Sequence, residues 1–177
     1  NLGEWCIRYT PVVATDLPSG LILDISGCAH LWGGEEKYIL SIINRLTDIG
    51  YSVRAAIADT IGAAWALARF GKSPLIIPAS GQATALLDLP TAALRIDAAA
   101  VERLNKLGLK KIGSFIHLPG TALRRRFGTE LLKKIDQALG KEEEYIEPII
   151  PVIPFQERLP CIDPIVTAKG IEIGLER

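Results

Sequence analysis

The sequence predicts an α+β fold whose character changes partway along the chain. Three observations carry that expectation. Strand-like and helix-like periodicities alternate through roughly the first hundred residues. Only helical signals follow between Pro90 and Glu147. The composition is globular, 49% hydrophobic and 23% charged in a chain of 177 residues, which excludes wholesale disorder. A chain of that length buries roughly 70% of its unfolded surface, enough for one large core or two modest ones.

The elements follow in order. Tyr9 to Thr15 and Gly20 to Ser26 are β-branched, aliphatic runs separated by Asp16-Leu17-Pro18-Ser19, a turn composition, and should pair as a hairpin. Gly33-Gly34 breaks the chain, and Glu35 and Glu36 open a helix to about Asp48 with Ile39, Ile42, Ile43 and Leu46 on one face. Gly50 ends it. Ser52 to Ala58 reads as a buried strand, Ile61 to Phe70 as a small-residue helix able to approach a sheet closely, and Pro74 to Pro78 as a short strand. Beyond Pro90, Asp97 is placed to cap a helix through Leu107, with Gly108 at its end. Lys110 to Leu118, Thr121 to Phe127 and Thr129 to Leu139 give further short helices. Prolines in the Ile/Val-rich stretch Glu147 to Pro164 predict an extended linker entering a strand. Val166 to Arg177 reads as a helix or a strand. Boundaries therefore fall near residues 90 and 147.

Lys+Arg and Asp+Glu balance at 20 each, but unevenly along the chain. The net is −2 over residues 1–100, +6 over 101–142 and −4 over 143–177. A basic module between acidic ones suits either a solvated helical surface or a nucleic-acid backbone. The longest apolar stretch, Ile61 to Ala68, falls far short of the roughly 18 residues a membrane span requires. No amino-terminal signal pattern is present, and Cys6, Cys28 and Cys161 are widely spaced, which predicts a reducing, cytoplasmic setting. The chain starts at Asn1 and contains no methionine, as expected of a piece of something longer.

Few residues group as a catalytic site requires. His30 and His117 are 87 positions apart and read as structural histidines. Cys28 beside His30 lacks a third group to orient the imidazole. Gly33-Gly34 could cradle a phosphate, but Glu35 and Glu36 would repel it. Asp16 and Asp24 could hold magnesium only if they converged. Asp16 is expected in the turn and Asp24 mid-strand, where it should brace the following Gly27 turn instead.

The run Gly20-Leu-Ile-Leu-Asp-Ile-Ser-Gly-Cys-Ala-His-Leu-Trp-Gly-Gly-Glu35, preceded by Trp5-Cys-Ile-Arg-Tyr-Thr-Pro11, resembles the palm of the ImuB-type branch of the Y-family translesion DNA polymerases. Arg54 to Thr60, Ala63 to Arg69, Leu104 to Gly113, Arg125 to Gly128 and Asp136 to Gly140 are similar to that branch in order and spacing. The resemblance covers nearly the whole chain. It implies a partial palm, a β-sheet with packed helices, over residues 1–89; a small all-helical thumb over 90–146; and a linker with the start of an α/β little finger over 147–177. The fingers and the strand with the first catalytic aspartate would precede Asn1.

Departures from the family pattern are as informative. Ser19 and Gly20 stand where active relatives carry the two acids of a Ser-Ile-Asp-Glu motif, so metal-dependent nucleotidyl transfer should be lost. Ala58, Thr60 and Ile61 replace a Ser and an Asn-Lys pair. Lys72 aligns with a lysine that contacts the triphosphate in active relatives and is a candidate nucleotide-binding remnant. Leu94-Arg95-Ile96-Asp97 replaces a Pro-Gly-Ile-Gly hairpin, and Asp97 would repel a DNA phosphate. Lys106, Lys110, Lys111, Arg124, Arg125, Arg126, Lys133 and Lys134 remain as candidate DNA-backbone contacts. Arg125 and Arg126 are not expected to face outward together; one should brace Phe127 or the helix end.

The resemblance thus implies a non-catalytic scaffold in translesion synthesis, needing no cofactor. Its implied partners are DNA, the sliding clamp, a replicative-type error-prone polymerase and a RecA-like accessory protein, with no membrane. One alternative is an active polymerase using magnesium held by Asp24 and an acid upstream of Asn1. Another is a protein-interaction module whose basic segment meets an acidic partner.

Overall fold

A computed structural model describes residues 1–151 and 165–175. It is an α+β protein. A helix that hydrophobic pattern did not foreshadow opens it, α1 (Leu2–Cys6), with the Asn1 side chain accepting from the Glu4 amide at 3.0 Å. The expected hairpin follows as β1 (Val12–Asp16) and β2 (Gly20–Asp24), antiparallel, with Val12 opposite Asp24 and Asp16 opposite Gly20. It is shorter than its apolar runs. Tyr9 is buried among the rings of Trp5, Trp32 and Tyr38, and Thr10 donates its hydroxyl to the Asp24 carbonyl, so neither extends the ladder.

Gly33 and Gly34 adopt φ of 81° and 104°, values that side chains resist, and turn the chain into α2 (Glu35–Asp48). This helix buries Tyr38, Ile39 and Leu46, leaving Ile42 and Ile43 half-buried. The strand expected over residues 52–58 shrinks to β3 (Ala56–Ile57), half-buried. The physical reason lies in Arg54, which donates to the carbonyls of Ala68 (2.7 Å) and Gly71 and so ties this stretch to the end of a helix rather than to a ladder. That helix is α3 (Ile61–Phe70), and β4 (Leu75–Ile76) returns parallel to β3. Pro74 and Pro78 at either side limit β4 to its two paired residues.

The small residues of α3 do permit a close approach, though chiefly to a helix. A Cβ on Gly62 would lie 3.0 Å from the Ala138 Cα, and the Thr60 hydroxyl donates to the Ala138 carbonyl at 2.9 Å. Ala138 belongs to α7 (Thr129–Leu139), which follows α4 (Gln82–Leu86), α5 (Ala98–Lys106) and α6 (Gly120–Phe127). Asp97 caps α5, accepting from the Ala100 amide at 2.6 Å, and Gly108 beyond it has φ 78°, as expected. The helix expected over residues 110–118 is only a 3₁₀ turn at Ile112–Ser114. Its backbone donors are committed elsewhere: Ile112 to the Leu89 carbonyl (3.0 Å) and Gly113 to that of Leu87 (2.9 Å).

One core joins these helices. Ala63, Ala66 and Leu67 of α3 pack with Leu86, Leu94, Leu104, Ile112, Phe115, Leu123, Leu131 and Ile135. After α7 the chain runs without regular structure along the molecule, and the Ile149 amide donates to the Val13 carbonyl at 2.7 Å. A Cβ on Gly3 would sit 2.1 Å from Ile149 Cδ1, so only glycine admits that side chain. The rest of the linker expected up to Pro164 lies outside the described residues. Of the helix or strand expected after Val166, the structure shows a helix, α8 (Ala168–Leu175).

Candidate nucleic-acid interface

Ser19 is exposed in the hairpin loop and Gly20 begins β2. A Cβ on Gly20 would lie 2.6 Å from Asp16 Oδ2 and 3.0 Å from an Arg69 guanidinium nitrogen. That space holds an ion pair. Asp16 Oδ2 accepts from Arg69 at 2.8 Å and from the Trp65 indole Nε1 at 2.7 Å. Asp16 is therefore a strand residue bound to α3 and not the turn residue its composition suggested. Asp24 ends β2 at the other end of the hairpin, about 13 Å of strand away. It does brace the turn: its Oδ1 accepts from the Ser26 amide at 2.9 Å, and the Ser26 side chain first, then this amide, hold the carboxyl below the usual aspartate range. Cys28 is half-buried with its thiol 3.8 Å from the Ser26 carbonyl, and His30 and His117 are exposed. Among the described residues no three His, Cys, Asp or Glu side chains group as a metal site would need. Lys72 is exposed in the loop after α3.

The candidate backbone contacts lie along α5 to α7 in different electrostatic settings. Arg124, Arg125 and Arg126 are all exposed, contrary to the expectation that one would turn inward. Helix α6 meets the core through Leu123, with Phe127 four residues on half-buried, so the three residues between them fall off the contact stripe. Lys110 is also exposed. Lys111 pairs with Asp88 at 2.8 Å and holds that carboxyl below its ordinary range, while Lys106 pairs with Glu102 at 2.7 Å along α5. Lys133 lies 3.9 Å from Glu142. Lys134 is set apart, half-buried, with its ammonium 3.1 Å from Gln137 Oε1 and 3.4 Å from Glu144 Oε1.

Lys134 belongs to a polar network that periodicity and spacing did not reveal. Arg95, at φ 57°, donates to Glu144 Oε2 at 2.5 Å, and its guanidinium carbon lies 5.6 Å from the Trp65 ring centroid. Arg69 lies 4.6 Å from the same ring. Asp16, Trp65, Arg69, Arg95, Glu144 and Lys134 thus link the hairpin, α3, the turn before α5, the chain after α7, and α7 itself. An open cleft of about 430 Å³ lies beside them, between the hairpin residues Thr15 and Ile22 and the segment Glu144–Ile149, with Arg95 in its wall. The sequence signal for this network is the acidic run Glu142-Glu143-Glu144 directly after the basic helices, of which Glu144 returns onto Arg95 and Lys134.

The hairpin's two carboxylates are engaged within the fold, Asp16 by Arg69 and Trp65 of α3 and Asp24 by Ser26, and α3 shares its core with the basic helical module. The chain is 46% identical over 170 residues, 96% of its length, to Protein ImuB of Caulobacter vibrioides in two strains, NA1000 / CB15N and ATCC 19089 / CIP 103742 / CB 15. It is ImuB-like along nearly all of its residues and spans 37% of the length of those relatives. No protein-family model matches it.

Proposed function

We propose that the chain is part of a non-catalytic, Y-family-related scaffold in translesion DNA synthesis. Its helical module, the thumb in that reading, holds a nucleic-acid backbone without reading sequence. The observation that carries the reading is the filled space at Gly20: where active relatives present a metal-binding acid, an Asp16–Arg69 ion pair 2.8 Å long occupies the room a side chain would need. An acid at residue 20 would have to displace the Asp16 carboxylate and the Arg69 guanidinium from each other before it could hold a metal. Asp24 gives no support to the alternative of an active enzyme, because its carboxylate serves the Ser26 amide. No cofactor is part of this proposal, and magnesium enters only under that alternative.

Exposed Arg124, Arg125, Arg126 and Lys110 supply the phosphate contacts in this reading, with Lys106, Lys111 and Lys133 available once their exposed ion pairs exchange. Lys72 is proposed as a remnant without a nucleotide role of its own. The sliding clamp, a replicative-type error-prone polymerase and a RecA-like accessory protein are the proposed protein partners, and the cytoplasm the proposed location. No helix among the described residues is long and apolar enough to cross a membrane.

Primer extension by the full-length protein with magnesium or manganese tests the catalytic half. No extension above background is expected, and robust protein-dependent extension would overturn it. Oligonucleotide binding across a salt series tests the other half. Weak binding that falls steeply with salt is expected, whereas binding indifferent to salt would remove the backbone-contact assignment.

A further inference from the structure

We propose that Arg95 and Lys134 form an anion site that Glu144 fills in cis, and that a nucleic-acid phosphate competes with Glu144 for it and releases the segment Glu144–Ile149. The inference rests on the nucleic-acid reading above and adds a regulated contact to it. Two cations converge on the two oxygens of one carboxylate: Arg95 on Oε2 at 2.5 Å and Lys134 on Oε1 at 3.4 Å. Their side chains are 17% and 25% exposed, so water screens them poorly and an anion is needed between them. A phosphate presents the same paired oxygens with more charge, and guanidinium binds carboxylate and phosphate by the same fork geometry.

The charges divide by element. The cations sit on the folded body, Arg95 in the turn before α5 and Lys133 and Lys134 on α7. The carboxylates that answer them, Glu142 at 3.9 Å from Lys133 and Glu144, sit on the segment leaving α7, together with exposed Glu143 and Glu147. Glu147 lines the same cleft as Arg95 and Glu144. Moving Glu144–Ile149 therefore removes Glu144 and Glu147 together, opens the cleft that this segment walls, and leaves Arg95 and Lys134 without their carboxylate. At its far end the segment is held by the Ile149 amide on the Val13 carbonyl (2.7 Å) and the Ile149 side chain over Gly3. It is an acidic strap lying on a basic face, occupying in part the surface that nucleic acid would use.

The test compares the full 177-residue chain with Glu144→Gln and, because that change leaves half-buried cations unanswered, with Glu142→Gln/Glu147→Gln, whose side chains are exposed. A fluorescent single-stranded oligonucleotide should bind each variant more tightly than the parent, by about threefold for the double change and about tenfold for Glu144→Gln in ~0.1 M salt. Inorganic phosphate should raise the melting temperature of Glu144→Gln and leave the parent unmoved. In the parent, oligonucleotide should speed hydrogen exchange at the Ile149 amide. Parent binding with unchanged or weaker binding by both variants overturns the proposal. If no chain binds the oligonucleotide, the nucleic-acid reading fails, and a Glu144→Gln melting temperature indifferent to phosphate then overturns the anion site as well.

Discussion

Two groups of positive charge in this molecule are alike in composition and opposite in circumstance. Arg124, Arg125 and Arg126 stand exposed on α6, whereas Arg95 and Lys134 lie half-buried against Glu144. The first group contributes little to stability and is available to a partner. The second holds several elements together and is available only if Glu144 leaves. Net charge counts both groups equally, so a segment total of +6 describes the chain and not its binding surface.

The contrast can be broken most directly at Arg95. Arg95→Ala leaves Glu144 with only Lys134 and removes the cation near Trp65, and should cost about 2–3 kcal/mol by denaturant unfolding. A cost below about 0.5 kcal/mol would show the network to be ornamental. Gly20→Glu is next: its Cβ would meet Asp16 and Arg69, and a loss of about 1–3 kcal/mol is expected, with no gain of primer extension. Arg124→Ala/Arg125→Ala/Arg126→Ala should move stability by no more than about 0.5 kcal/mol per residue while weakening oligonucleotide binding about tenfold and flattening its salt dependence. Unfolding of that variant would mean α6 packs through its arginines. Lys106→Ala breaks only the exposed pair with Glu102 and should change stability by less than about 0.5 kcal/mol. The smallest effect concerns acid. Because Ser26 holds the folded Asp24 carboxyl below the unfolded value of about 3.9, its contribution is present above that value and lost as pH falls through the lower folded one. Asp24→Asn should reduce the acid dependence of stability in that range and leave stability near pH 7 slightly lower.

Elements whose information is local were legible. The helices α2, α3 and α7 carry their own stripe, cap or glycine stop, and the hairpin carries its turn. Residues 110–118 and 52–58 misled because distant partners engaged them, through the backbone in the first stretch and through a side chain in the second. The Leu87 and Leu89 carbonyls captured Gly113 and Ile112, and the Arg54 side chain fastened its own stretch to α3. The candidate site shows the same division. Exposed lysines and arginines can be counted from composition. The convergence of Arg95 and Lys134 on Glu144 depends on a left-handed turn at Arg95 and on the return of the chain after α7, neither of which has a periodic signature.

The hydrogen bond from Ile149 to Val13 spans 136 positions of the chain. Synthesis proceeds from the amino end, so the Val13 carbonyl waits for this donor until the whole helical module has emerged. A chain arrested before residue 149 would carry a β1 edge lacking that partner, and a strand edge left open is a template for pairing with other chains. Truncations ending after Gly140 but before Ile149, which keep α7 and its core residues, should therefore aggregate sooner than those ending a few residues beyond Ile149.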